Sequence, residues 1–280
     1  MSKEFTKEEV IQNKKDAIRR LNKLLEYYIN NPSEKHLKKA HLISYWIKDY
    51  VRMINFEDRF EPTKNIAYKR GNVVKINFGF KIGSEYGGLH YGVVLDNKND
   101  HSSPVITVIP LTSVKDSSET HNNSVELGND LYRTLKLKYD TISKALKAEQ
   151  QEIVDTINAF SVLIEMVDEA MNNFHNTNNF SEGAKELIKA KEYLDATDKL
   201  DALWKEKEKH NLEQQEYLDK IGQEISRMKN GSIALVNQIT TVSKIRIYDP
   251  CDLKGVLSGV SLSEDSMEKI NEKIKELYVF

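Results

Sequence analysis

A glycine-rich loop brings an acid and a histidine close together in the first third of the sequence. It reads Gly83-Ser84-Glu85-Tyr86-Gly87-Gly88-Leu89-His90 and leads directly into an apolar run. Glu85 can act as a base or orient His90, and it can equally form a salt bridge that holds the loop. Because an unperturbed histidine titrates at about pH 6.5, His90 can exchange a proton near neutral pH. The loop therefore predicts acid–base chemistry at the edge of a buried strand.

A pair of hydroxyl side chains forms the second chemical candidate. Thr112 and Ser113 end the apolar run that begins at Val105. A hydroxyl in this position can hydrogen-bond a phosphate oxygen, or it can satisfy a backbone group of its own strand. The glycine loop has neither the GxxxxGK[ST] nor the GxGxxG spacing, which disfavours a nucleotide-binding loop.

Basic and aromatic side chains surround these candidates. The formal net charge is -2, so any binding of nucleic acid must come from a local patch. Basic side chains on or beside predicted strands could form such a patch: Lys69, Arg70, Lys75, Lys81, Lys244 and Arg246. The aromatic side chains among them could stack on bases or pack as half-buried strand residues: Phe80, Tyr86 and Tyr91.

Two separate stretches of the chain have a residue pattern that predicts strands. Alternating apolar residues bounded by Gly, Asn, Asp, Ser and Pro predict strands at 73–78, 91–95, 105–111 and 124–127. The pattern resumes at 233–236 and 241–247 and is followed by a helix at 263–277. Four strands are too few to close a barrel, so we expect both stretches to build one bent antiparallel sheet.

Helical periodicity fills the rest of the chain. Residues 1–60 predict a helical hairpin, and residues 130–229 predict a longer antiparallel hairpin with a heptad-like, coiled-coil seam. Because the ends of an antiparallel hairpin lie close together, the longer hairpin can be inserted in a surface loop at little cost. We therefore expect one barrel-like domain formed by residues 66–129 and 230–280.

Other protein classes are disfavoured by composition. The single cysteine, Cys251, excludes an internal disulfide framework, and the seven histidines show no metal-ligand spacing. We therefore predict no metal and no cofactor. The charged N-terminal stretch does not resemble a signal peptide, and no apolar run approaches the length of a membrane span. The expectation is a soluble cytoplasmic protein with no membrane partner.

Four motifs, in order along the chain, resemble the MazF/PemK family of type II toxins. The first two are Arg70-Gly71-Asn72-Val73-Val74, similar to an RGD-(I/V) strand, and Gly83 to Gly88, similar to a GSEQGG loop. The third is Ser103-Pro104 with the strand ending at Leu111-Thr112-Ser113, similar to SPT…(L/I)TS. The fourth runs from Gly231 to Thr241 and is similar to DSVxLxxQIRT. The resemblance covers residues 69–128 and 230–280.

This resemblance implies an α+β fold built on an SH3-like antiparallel β-barrel, with both helical hairpins as additions. It also implies a metal-independent endoribonuclease that cleaves single-stranded RNA, forms a homodimer and is paired with a cognate antitoxin protein. It says nothing about the use of the two hairpins. They could dimerise, dock to another component, or fold back over the RNA groove in cis.

The site residues follow from the same resemblance, with one departure. The family has an arginine just after the loop, and His90 stands in its place, whereas Thr112 matches the family threonine. The predicted catalytic residues are His90, Thr112 and Glu85. The predicted RNA-contacting residues are Ser84, Tyr86, Gly87, Gly88, Ser113, Lys81 and Lys244. Because histidine is not a permanent cation, the departure leaves open a barrel that binds RNA or protein without cleaving it.

Overall fold

The computed structural model describes residues 5–31, 33–114, 122–229 and 231–279, which contain seven strands and five α-helices. The strands are β1 (Val73–Asn77), β2 (Leu89–Val94), β3 (Val105–Ser113), β4 (Val125–Gly128), β5 (Ser232–Ala234), β6 (Thr240–Ser243) and β7 (Ile247–Asp249). The helices are α1 (Lys7–Asn30), α2 (Glu34–Glu57), α3 (Asp130–Asn176), α4 (Phe180–Arg227) and α5 (Glu264–Tyr278).

The seven strands form one antiparallel sheet in which the two separate stretches of the chain interleave. The strand order is β4-β5-β3-β2-β1-β7, and β6 pairs with the first half of β3. The last residues of β3 pair instead with β5, which also pairs with β4. Strands from both stretches are therefore neighbours, and the predicted mixture of helices with an antiparallel sheet is confirmed.

The predicted strand at 241–247 is wrong as a single element. A 3-10 turn at Lys244–Arg246 divides it into β6 and β7. The reason is topological, because β6 pairs with β3 while β7 pairs with β1 on the far edge of the sheet. The chain must cross from one strand to the other, and the turn makes that crossing.

Two long helices extend from the sheet and run antiparallel to each other. Glu149 of α3 meets His210 of α4 at 2.7 Å, and Glu152 meets Lys207 further along. With 47 residues at about 1.5 Å of rise per residue, α3 is roughly 70 Å long. The base of this pair belongs to the core of the sheet, where Leu131, Leu135 and Ile221 are at most 1% exposed.

An ion pair ties the end of α4 to the sheet. Glu224 accepts hydrogen bonds from Lys75 Nζ of β1 at 2.6 Å and from the Tyr91 hydroxyl of β2. Burial by itself raises the pKa of Glu224, but the bonds from Lys75 and Tyr91 outweigh it and lower the pKa. The carboxylate is therefore held ionised against the two strands.

The second helix, α2, lies against the loop between β1 and β2. Trp46 packs on Gly79, where an added Cβ atom would lie 2.9 Å from the indole ring. Gly79 also has a φ of +85°, a value that other residues rarely adopt. Asp49 accepts a hydrogen bond from Asn77 at 3.0 Å. These contacts place α2 along one side of the glycine-rich loop.

Candidate active site

His90 is the second residue of β2 and is half-buried beside the glycine-rich loop. Its Nδ1 lies 2.9 Å from the hydroxyl of Tyr86, and the two ring centroids are 4.5 Å apart. Burial lowers the pKa of His90, and a hydrogen bond with the backbone of Gly87 only partly opposes that effect. The imidazole is therefore neutral near pH 7 and able to accept a proton.

The hydroxyl of Tyr86 joins His90 to the end of β3. It donates to the carbonyl oxygen of Leu111 at 2.9 Å, and the side chain of the next residue, Thr112, is near enough to lower the pKa of Tyr86. Burial raises the pKa of Tyr86, although Thr112 offsets part of the rise. The phenol of Tyr86 thus links the imidazole of His90 on β2 to the backbone of Leu111 on the neighbouring strand β3.

A cavity of about 270 Å³ opens beside these groups, and we call it the His90 cavity. It is lined by His90, Tyr91, Leu111, Thr112, Ser113, Leu131, Arg227, Met228, Lys229, Gly231 and Ser232. The structure therefore brings together three predicted residues, His90, Thr112 and Ser113. It adds two basic side chains, Arg227 and Lys229, from the end of the long hairpin.

The acid of the loop lies on its other side. Glu85 is exposed, and its carboxylate accepts from the backbone of Ile82 at 3.4 Å rather than pairing with His90. It lines a separate cavity of about 350 Å³, which we call the α2 cavity, together with Lys81, Gly87 and Gly88. No hydrogen bond joins Glu85 to His90 among the described residues, so the orienting role, one of the alternatives predicted for Glu85, is not seen, and its role as a base stays a prediction.

Gly87 and Gly88 have structural reasons to be glycine. An added Cβ atom at Gly87 would lie 2.6 Å from the carbonyl oxygen of Gly79, and Gly88 has a φ of +96°. The two glycines allow the loop to fold closely onto itself, and they face the α2 cavity with Lys81. Lys81, Gly87 and Gly88 therefore line a different cavity from Thr112 and Ser113, although Gly88 also adjoins His90, whose Nε2 would lie 3.2 Å from an added Cβ atom.

Three further residues that were predicted to contact RNA do not line the His90 cavity. Lys244 is 1% exposed, and its ammonium donates to the carbonyl oxygens of Asp100 and His101, so it is not available to RNA. The ring of Tyr86 packs between Phe78 and His90 rather than lying open for base stacking. Ser84 is exposed on the loop.

The residue that fixes the loop was not among the predicted site residues. The side-chain amide of Gln238 accepts from the backbone of Tyr86 at 3.2 Å and donates to the carbonyl oxygen of Ser84. Gln238 stands in the Gly231–Thr241 motif, so its position in that motif was a usable signal. Arg227 and Lys229 carry no such signal, because they are two charges at the end of a stretch of sequence rich in charges.

Three of the basic side chains that were predicted to form one patch are instead bound to separate partners. Lys75 binds Glu224, and Arg70 donates to the carbonyl oxygen of Leu95 and to Asn271 of α5. Lys244 is buried, as described above. Among the residues that the structure describes, the cations that line the cavity with the hydroxyl pair are Arg227 and Lys229.

The described residues also bear on metal binding and on insertion into a membrane. Within the ranges that the structure covers, no group of three or more His, Cys, Asp or Glu side chains is arranged to hold a metal ion. No helix in the same ranges is long and apolar enough to cross a membrane.

Comparison with known proteins gives one match. Residues 69–172 match the family described as PemK-like, MazF-like toxin of type II toxin-antitoxin system. The matched range contains the glycine-rich loop, strands β1 to β4 and most of α3. None of the curated proteins compared with the chain matches it.

Proposed function

Because the chain belongs, through residues 69–172, to the PemK-like, MazF-like family of type II toxins, we propose that it is an endoribonuclease that cleaves single-stranded RNA in the His90 cavity. The observation that supports this proposal is that His90, held by the hydroxyl of Tyr86, lines one cavity with Thr112. These groups offer a proton acceptor and a phosphate ligand within one enclosed space. We also propose an SH3-like barrel for the sheet, a coiled-coil seam between α3 and α4, a homodimer and a cognate antitoxin partner.

The proposed reaction is an intramolecular displacement at phosphorus. The 2′-oxygen of the RNA forms a bond to the phosphorus while the bond from phosphorus to the 5′-oxygen breaks. The neutral imidazole of His90 takes the proton of the 2′-hydroxyl and becomes imidazolium. That proton is then passed to the departing 5′-oxygen, so the products are a 2′,3′-cyclic phosphate and a 5′-hydroxyl.

Thr112 and Tyr86 have different roles in this proposal. The hydroxyl of Thr112 donates to a non-bridging phosphate oxygen, where negative charge builds up in the transition state. Tyr86 does not touch the RNA. It fixes the ring plane of His90 through the 2.9 Å contact at Nδ1 and is therefore a positioning residue.

The test is cleavage of a long unstructured RNA by the full chain in EDTA, followed by mapping of the ends. We expect discrete cuts that bear 2′,3′-cyclic phosphate, and loss of the cuts in His90→Ala and Thr112→Ala. The matched controls are His175→Ala and Thr141→Ala, which remove an imidazole and a hydroxyl from exposed positions on α3. These controls should cleave like the parent chain.

Intact RNA with retained binding would overturn the proposal in favour of a barrel that binds without cleaving. Cuts that persist in both site variants would place the reaction outside the His90 cavity. Cuts that disappear in EDTA and return with added divalent cation would contradict the acid–base route through His90.

A further inference from the structure

The last turn of α4 closes one side of the His90 cavity with basic side chains. Arg227 is the final residue of α4, Lys229 follows two positions later, and both line the cavity with His90 and Thr112. Both residues are exposed, and within the described ranges neither has a hydrogen bond or an ion pair, although the charge of Arg227 helps to lower the pKa of Glu224 one turn earlier. A guanidinium with free donors at a cavity wall is ready to bind an anion.

Three other basic side chains near the sheet already have partners. Lys75 is bound to Glu224, Arg70 to a backbone carbonyl and to α5, and Lys244 to the carbonyl oxygens of Asp100 and His101. Lys81 lines the α2 cavity on the other side of the loop. Permanent positive charge can therefore reach the hydroxyls of Thr112 and Ser113 from the hairpin.

The proposed chemistry needs such a charge. His90 is neutral near pH 7 because burial lowers its pKa, so it accepts a proton but does not balance the charge of a phosphorane. Arginine presents two parallel N–H donors that match two phosphate oxygens, and it stays charged at any pH that the protein meets.

We propose that Arg227 binds the non-bridging oxygens of the RNA phosphate in the His90 cavity, so that the inserted hairpin completes the site. This inference rests on the proposed function for its catalytic consequence, but the phosphate contact can be measured without cleavage. Lys229 adds charge at the same wall, and the planar fork of Arg227 makes the directional contact.

The position of Arg227 is fixed by the anchor one turn earlier. Glu224 and Arg227 are three residues apart and so lie on one face of α4. Glu224 is held by Lys75 of β1 and by Tyr91, the residue that follows His90 in β2. The end of α4 is thus fastened to the strand that carries the imidazole, which keeps the guanidinium in register with it.

The first experiment measures binding of a short mixed-sequence 2′-O-methyl RNA, which lacks the attacking hydroxyl and cannot be cleaved. Each phosphate that a protein contacts adds about 0.7 to the slope of log affinity against log salt for a single strand. We expect Arg227→Ala to weaken binding and to reduce this slope by about 0.7. Lys220→Ala removes the same charge from an exposed position elsewhere on α4 and should leave the slope unchanged.

The second experiment measures single-turnover cleavage. Removing one donor from a charge-stabilising site costs about 100-fold or more in rate, so Arg227→Ala should reduce kcat by about that factor. Arg227→Lys, which keeps the charge but loses the fork, should recover binding at low salt and only part of kcat. All three variants should unfold at the same temperature as the parent chain.

The outcomes separate the inference from the proposed function. If the parent chain does not cleave RNA but Arg227→Ala alone reduces the slope, the phosphate site stands and the nuclease proposal fails. If the parent chain cleaves and Arg227→Ala matches Lys220→Ala in slope and rate, the nuclease proposal stands and Arg227 is excluded from the site.

Discussion

The two faces of the loop at residues 79–88 meet different parts of the molecule. One face carries His90 and Tyr86 against the end of β3 and the last turn of α4. The other face carries Glu85 and Lys81 against Trp46 and the rest of α2. The first face has a proton acceptor, hydroxyls and unpaired cations, whereas the second has close packing and an exposed acid.

The comparison shows that closeness in sequence is a poor guide to a shared site. Glu85 and His90 are five residues apart and line different cavities. Arg227 is far away in sequence and lines the same cavity as His90. We therefore assign the chemistry to the His90 cavity and a packing role to the α2 cavity. Four predictions test this division.

The largest expected effect is the difference in cleavage rate between a variant at His90 and a variant at Glu85. His90→Ala should reduce RNA cleavage by about 100-fold or more, because a positioned general base contributes at least that factor. Glu85→Gln should change the rate by less than about 3-fold, because an exposed carboxylate on the far face has no contact with the reacting groups. Cleavage rates under single-turnover conditions make the comparison, and similar losses in both variants would mean that the two faces share one site.

The next effect concerns stability on the α2 side. Trp46→Ala should lower the free energy of unfolding by about 2 kcal/mol, somewhat less than for a fully buried tryptophan, because the indole packs on Gly79 and under Arg246. Tyr45→Ala, at a position 52% exposed on the same helix, is the matched control and should have little effect. Denaturant unfolding measures both, and equal stabilities would show that α2 is not docked on the loop.

A smaller effect is expected from the residue that positions the imidazole. Tyr86→Phe keeps the ring but removes the hydroxyl that contacts Nδ1 of His90 and the carbonyl oxygen of Leu111. Loss of one such hydrogen bond, worth about 1.4 kcal/mol, corresponds to about a 10-fold lower kcat. KM should hardly change, and Tyr132→Phe on α3 should behave like the parent chain. A rise in KM with kcat unchanged would instead place Tyr86 in contact with RNA.

The smallest expected effect is a shift in the pH dependence of the cleavage rate. Since burial lowers the pKa of His90, the neutral base persists below pH 6.5. Cleavage should be present above the lowered pKa and be lost as the pH falls through it. Glu85→Gln should leave this acidic limb in place, as expected for a carboxylate on the other face. If the acidic limb of the pH profile instead lay above the ordinary pKa of histidine and moved to lower pH in Glu85→Gln, Glu85 and His90 would belong to one site.

Much of the sheet could be predicted from local pattern, because apolar alternation marks a strand wherever one side is buried. Strands β1 and β3 begin at Val73 and Val105, where the alternation begins. The turn at Lys244–Arg246 could not be predicted in the same way, since its cause is the distance between the strands that β6 and β7 join. Local alternation carries no information about that distance.

The residues of the candidate site also differ in whether local sequence pattern could predict them. His90 and Thr112 could be singled out from the sequence, because each lies at one end of an apolar run and within or beside one of the motifs. Arg227 is one basic residue in a helix with many, and its relevance comes from the anchor of Glu224 on Lys75 and Tyr91. An anchor between residues so far apart in the sequence leaves no periodic or spacing signal.

The interleaved strand order has a consequence for synthesis of the chain. Because β5 lies between β3 and β4, and β6 and β7 pair with β3 and β1, the sheet cannot close until residues 232–249 have left the ribosome. Translation must first pass through both long helices, which precede those strands. A nascent chain that has reached only Ser113 carries the imidazole and the hydroxyls, yet it lacks the strands that hold them and the guanidinium that faces them. If the chain is the nuclease proposed above, this order delays assembly of its cavity until most of the polypeptide is made.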